Sequence, residues 1–251
     1  MAKAKGKTKH AVNSTLEEKP EVAKEEPAPS APSPQPMPPQ FPRPVPPQIL
    51  AALAGAQMQA PIVVPQRIYV SFSAEINPNT TEALIALVTQ QVNAGVKEVY
   101  LMMSTPGGTV MNGLNLYNVL RALPIKLITH NVGNVDSIGN AIFLAGEERY
   151  ACAHSTFMFH GVGFDVPGHA RFEEKILRER LGSILADQKR IGSIMEERTN
   201  LNRSQLRNLF KEARTKDADY ARSVGIVHDI RDVAITPGTP VFALVFQRQG
   251  V

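Results

Sequence analysis

An α/β fold with a largely parallel sheet is what this 251-residue chain predicts. Three observations carry that expectation. Short β-branched and aromatic runs alternate with helix-length stretches from Arg67 onward. The strand-like runs end in glycine, proline or small polar residues. The order strand, helix, strand, helix, strand implies right-handed crossovers between parallel neighbours.

The elements follow in order. "RIYVSF" (67–72) reads as a strand. In "NPNTTEALIALVTQQVNAG", Asn79 or Thr80 is expected to cap a helix that Gly95 ends. "KEVYLMM" (97–103) makes a second strand, broken by "STPGG". "TVMNGLNLYNVLRAL" (109–123) is a helix stopped by Pro124. "IKLITHNV" (125–132) is the third strand, and "GNVDSIGN" leads from it into a helix through "AIFLA". "RYACA" and "TFMFH" are two more short strands. From Arg171 to Thr199 apolar residues recur at spacings of three and four, which predicts an amphipathic helix of about 28 residues, roughly 42 Å long. A short helix pair, a strand and a last strand over "VFALVF" (241–246) complete the chain.

The front of the chain is different. Fourteen of the 20 prolines lie between Pro20 and Pro65, and the first nine residues carry four lysines. So little apolar surface cannot offset the entropy of ordering, so residues 1–65 are expected to be a disordered arm with polyproline II character. Its "PRPVPP" fits a ligand for a proline-reading domain, a pattern that also arises by chance in such arms. Residues 66–251 are enough for one well-buried domain.

Composition narrows the function classes. The formal charge of +4 is shared evenly between the first 50 residues and the rest, so the folded part has no basic nucleic-acid footprint. The single cysteine, Cys152, excludes an internal disulfide and is expected to be a buried thiol. No apolar run approaches 18 residues, and the start lacks a signal-peptide core, so a cytosolic protein without membrane attachment is expected.

Three sequence pieces bear on chemistry. "STPGG", Ser104 to Gly108, follows a strand, and its glycines let main-chain N–H groups approach a ligand. On its own it is an ordinary turn signal. Ser137 stands at a strand-to-helix junction, where unpaired N–H groups favour negative charge. A serine there serves either as a helix cap or as a nucleophile whose oxyanion is held by the Ile138 amide. His160 ends an alternating strand that sends Phe157 and Phe159 to one face and Met158 and His160 to the other. It is either a general base or a strand-end histidine. All three lie at the carboxyl ends of strands, where open α/β sheets build their sites.

The stretch "YLMMSTPGGTVMNGLNLYNVLRAL … GNVDSIGNAIFLAGEERYACAHSTFMFHG" resembles the proteolytic subunit of the Clp protease, from about Arg67 to Ile230. The resemblance implies a ClpP/crotonase-like spiral of βαβ units with a long projecting handle helix. It places Ser137 on the nucleophile, His160 on the general base, and Gly108 and Ile138 on the oxyanion-hole amides. It implies no cofactor and no metal. It implies a homo-oligomer of stacked rings interlocked by the handle helix, fed with peptide or unfolded chains by an ATP-driven AAA+ unfoldase.

Three departures stand beside it. Val135-Asp136 replaces a small Ala-Ala pair before the serine, and a carboxylate there opposes an oxyanion if it points inward. The position of the triad acid falls on Ala213, with Glu212 adjacent and Asp217 four residues on. Glu212, Asp217, a dyad without an acid, and an inactive assembly subunit all remain open. The arm and the "TPGTPVFALVF" extension have no counterpart in the family's usual short chain. A crotonase-type acyl-coenzyme A enzyme is a third reading, with no account of the Ser137 and His160 pairing.

Overall fold

The computed structural model describes residues 64–166, 168 and 171–246. These belong to the compact unit spanning 60–251. The expected arm, residues 1–65, lies outside the described residues apart from Val64 and Pro65.

Strands β1 (Arg67–Ser73), β2 (Glu98–Thr105) and β3 (Lys126–Asp136) pair in parallel through helices α1 (Pro78–Asn93) and α2 (Val110–Ala122). Short α3 (Gly139–Phe143) follows β3, then β4 (Glu148–Ala151) and β5 (Thr156–Met158). The long α4 (Glu174–Arg198), α5 (Arg203–Glu212), β6 (Thr215–Asp217), α6 (Ala218–Ser223), β7 (Asp229–Ile230) and β8 (Val241–Leu244) complete the fold. The sheet runs β6-β5-β3-β2-β1-β8, with β4 beside β3 and β7 beside β4. Among the described residues only the β5–β6 pair is antiparallel.

Several boundaries differ from the sequence reading. Asn77 caps α1, accepting from the Thr80 N–H while Thr80 Oγ1 accepts from the Asn77 N–H. Neither Asn79 nor Thr80 is the cap, because Pro78 is suited to the first helical turn and moves the start back. Strand β3 continues past Val132 to Asp136, directly before Ser137. Its first half pairs with β4 at Ile128 to Asn131, its second half with β5 at Asn134 to Asp136, and its register against β2 shifts between Met103 and Thr105. That irregularity turns the strand end, as bulges near sites do.

The core lies between the sheet and its helices. Ile68, Val70, Phe72, Leu101, Met103, Phe143 and Phe157 are fully buried there. The opposite sheet face carries a second cluster of Tyr69, Tyr100, Met102, Ile128 and Tyr150. The segment that leads into the "TPGTPVFALVF" extension, Arg231 to Thr236, covers that cluster. Val233 packs on it, the Tyr69 hydroxyl donates to the Ala234 carbonyl (3.0 Å), and the Arg231 guanidinium lies 3.2 Å from the Tyr150 ring centre. Strand β8 then pairs parallel to β1. Cys152, one residue past β4 and 3.5 Å from His130 Nε2, is only half-buried, not the buried thiol expected.

His130 is fully enclosed in this cluster, its Nδ1 2.7 Å from the Tyr100 hydroxyl. Burial pushes its pKa down to about 4. The unfolded chain therefore binds a proton that the folded chain refuses. Stability present above about pH 6.5 is lost progressively as pH falls towards 4, by on the order of 3 kcal/mol. Denaturant unfolding at pH 7 and pH 4.5 checks this. His130→Gln is expected to show a shallower pH slope than wild type, and coincident slopes would contradict the account.

Arg149 ties the far end of the sheet to the helices. Its buried guanidinium donates to the carbonyls of Gly146, Arg198, Gly225 and Ile226. Arg198 donates back to the carbonyls of Leu144 and Gly146. Two cations thus satisfy the carbonyl ends of α3 and α4 without a carboxylate, fixing the root of α4 beside the site. Among the described residues no helix is long and apolar enough to cross a membrane.

Candidate active site

The sheet order brings the three sequence pieces together. Strands β5, β3 and β2 are neighbours, and His160, Ser137 and the Gly107-Gly108 turn follow their carboxyl ends. Ser137 and His160 open on one pocket of about 270 Å³. Gly108 and Ile138 line it with them, and Phe159, Ile191, Met195 and Phe210 supply apolar wall.

Ser137 is not a helix cap. It sits at φ 55°, in the left-handed region that a serine enters only at a cost, and Ile138 takes the cap position of α3. A sharp turn of this kind holds a side chain out from the strand end. Gly107 makes room for it. A Cβ at Gly107 would lie 2.6 Å from the Ser137 Cβ. The Ser137 N–H donates to the Met158 carbonyl at 2.9 Å, fastening the turn to the strand that carries His160.

Two amides are free beside it. Gly108 sits at φ 147° in an isolated parallel bridge with Ile76, where a Cβ would overlap the Ile76 carbonyl. The bridge uses the Gly107 carbonyl, which accepts from Ile76 N–H (2.7 Å), and the Thr109 N–H, which donates to Ile76 (2.8 Å). The Gly108 N–H is thereby turned to the other side. Among the described residues neither it nor the Ile138 N–H donates to a protein acceptor. Two such donors next to a hydroxyl are an arrangement able to hold an oxyanion.

The expected alternation of β5 is observed. Phe157 and Phe159 are buried, Met158 is half-buried and His160 is exposed to the pocket. Among the described residues no hydrogen bond joins the His160 ring to Ser137 Oγ or to a carboxylate. Glu212 instead faces Lys216 at 3.7 Å. Asp217 caps α6, accepting from the Tyr220 N–H at 2.8 Å. Neither lines the pocket. The register between β5 and β6 pairs Met158 with Thr215, and continuing it brings Ala213 opposite His160. Ala213 also has a left-handed backbone, φ 50°. The carboxylate that does line the pocket is Asp165, which the motif reading passed over because it lies on the loop beyond the strand.

Asp136 does not line the pocket, and its carboxylate is engaged by a neighbour. Asn134 Nδ2 donates to its carboxylate at 2.6 Å, and Asn134 is anchored by the Thr105 carbonyl and the Ser104 hydroxyl. Alternation along β3 puts Asn134 and Asp136 on the face opposite buried Val135. Among the described residues no group of three or more His, Cys, Asp or Glu side chains is assembled for a metal ion.

The family model described as Clp protease matches residues 61–234. Among solved structures, a mutant of ClpP1 from Listeria monocytogenes superposes with a TM-score of 0.59 at 18% identity, over 67% of this chain and 92% of the other. That likeness concerns the fold.

Proposed function

Because the chain belongs to the Clp protease family, we propose that it is a serine endopeptidase whose nucleophile is Ser137 and whose general base is His160. The observation that carries this reading is the left-handed Ser137 turn, which shares one pocket with His160 and two unpaired amides.

In this mechanism His160 takes the Ser137 proton as Oγ attacks the scissile carbonyl. The Gly108 and Ile138 N–H groups receive the oxyanion, an effect worth about 10²–10³ per donor. His160 then protonates the leaving amine. Water hydrolyses the acyl-enzyme by the same steps in reverse. The wall of Phe159, Ile191, Met195 and Phe210 favours an apolar substrate side chain next to the cleaved bond.

Assembly belongs to the same proposal. The root of α4 is buried through Ile191 and Met195, while Ile176, Leu177, Leu181 and Leu185 on its outer part are 38–56% exposed. Such an apolar stripe on a projecting helix fits a partner copy. Members of this family form oligomeric rings, and a closed chamber of this chain, supplied by an AAA+ unfoldase, follows from that likeness. A cytosolic location is part of the same reading.

One observation favours a second reading, an assembly subunit without hydrolytic activity. The resemblance puts the position of the triad acid on Ala213, and continuing the β5–β6 register beyond its last pair, Met158 with Thr215, also sets Ala213 opposite His160. Incubation with a fluorophosphonate and peptide mapping by mass spectrometry distinguishes the two. A single adduct on Ser137 supports the peptidase. An unmodified Ser137 under conditions that label an active serine protease supports the subunit.

A further inference from the structure

The side chain of Asn140, the second residue of α3, has no place in the mechanism above. It is 2% exposed. Its Nδ2 donates to two carbonyls at once, Ser137 at 3.0 Å and Met158 at 2.9 Å. The Met158 carbonyl also accepts from the Ser137 N–H. One amide group therefore spans the strained turn and the end of β5, two residues before His160.

The rest of the side chain makes the point sharper. Asn140 Oδ1 is buried and has no partner among the described residues. An alanine at this position would bury no orphan oxygen, so the asparagine carries a penalty that only its two donated bonds offset. Those bonds act where geometry is least self-supporting. Ser137 sits at φ 55°, and such a conformation persists only when its surroundings over-determine it. Its own hydroxyl contributes nothing to holding it, since Oγ makes no hydrogen bond among the described residues. Among the described residues no carboxylate is bonded to the His160 ring, so the distance between nucleophile and base depends on how the two backbone segments are fastened together.

We propose that Asn140 is a positioning residue, whose side-chain amide clamps the Ser137 turn to the β5 strand and so sets the spacing of nucleophile and base. This rests on the peptidase reading. The clamp acts on the chemical step and leaves the substrate pocket alone, because Asn140 is not among the pocket-lining residues.

The test compares wild type, Asn140→Ala and Asn140→Asp as full chains. Fluorophosphonate labelling of wild-type Ser137 comes first. Without it the peptidase reading fails, and this inference with it. Given labelling, Asn140→Ala is expected to lower kcat for a short fluorogenic peptide by about 10²-fold, the scale of a misplacement near 1 Å, with KM unchanged. Asn140→Asp keeps the shape. Buried against two carbonyls, its carboxyl is expected to stay protonated to unusually high pH and to donate one bond while it does. Its activity then falls on an alkaline limb that wild type lacks. Equal kcat in Asn140→Ala, or an Asn140→Asp profile superimposable on wild type, would overturn the clamp while leaving the peptidase reading intact. If Asn140→Ala does not fold, the Asn140→Asp profile decides. Loss of folding in both variants assigns the amide to stability alone and also overturns it.

Discussion

Ser137→Ala is expected to abolish peptide hydrolysis, a loss of about 10⁶ in kcat by the measure of a serine protease stripped of its nucleophile. The same substitution is expected to leave folding and assembly unchanged. Ser137 Oγ takes part in no hydrogen bond among the described residues, and alanine bears the φ 55° backbone no worse than serine does. This separation is what distinguishes a nucleophile from a structural cap. A cap serine would cost roughly 1 kcal/mol of stability on the same change, and no activity. Turnover of a fluorogenic peptide, thermal melting and size-exclusion chromatography read both halves of the prediction. Hydrolysis that survives at the wild-type rate would remove Ser137 from the chemistry.

Ala213→Asp is expected to raise the rate. Ala213 lies opposite His160 when the β5–β6 register is continued. A carboxylate there is placed to accept from the imidazole, fix its tautomer and stabilise the imidazolium formed as Ser137 attacks. The backbone suits the change. Ala213 has φ 50° and ψ 50°, a conformation that aspartate and asparagine adopt more readily than alanine. An increase in kcat of at least about tenfold is expected, with a ceiling of ~10⁴ set by the cost of losing the acid in a worked serine protease. Ala213→Asn serves as the control, since it relieves the backbone without adding charge. The gain should follow the aspartate and be lost again in Ala213→Asp combined with His160→Ala. Equal rates in wild type and Ala213→Asp would mean that His160 is already oriented, and Asp165, the carboxylate within the pocket, is the group to replace next.

Much of the fold was legible because its signals are local. β-branched runs bounded by turn residues marked β1 to β5, and their order implied the parallel pairing that β1, β2 and β3 adopt. Spacings of three and four marked α4, which spans Glu174–Arg198 within the expected 171–199. Alternation alone placed His160 on the opposite face from Phe157 and Phe159. The three-residue β6 was not legible, since "TKD" has neither apolar alternation nor length and exists as a strand only through its partner β5. The cover given by Arg231 to Thr236 to the Tyr69–Tyr150 cluster was equally hidden, because it depends on contacts far apart in sequence.

The site divides the same way. Residue types at strand ends pointed to Ser137, His160 and the Ile138 amide, the resemblance added Gly108, and all four line one pocket. The left-handed backbone of Ser137 leaves no trace in its sequence beyond the neighbouring glycines. Asn140 gave no signal either, because a polar residue on a short helix reads as solvent-facing until the carbonyls of Ser137 and Met158 are found around it. Glu212 and Asp217 were proposed by nearness in sequence. Lys216 and the α6 cap occupy them, which only the three-dimensional partners reveal.

The pairing of Ser137 with His160 is the claim on which the rest depends, and the rate of Ser137 phosphonylation in wild type and in His160→Ala tests it most directly. Wild type is expected to be phosphonylated on Ser137 with a measurable second-order rate, because the imidazole takes the hydroxyl proton as Oγ attacks. In His160→Ala that rate drops by several orders of magnitude. A His160→Ala protein that is phosphonylated on Ser137 as fast as wild type would contradict the account.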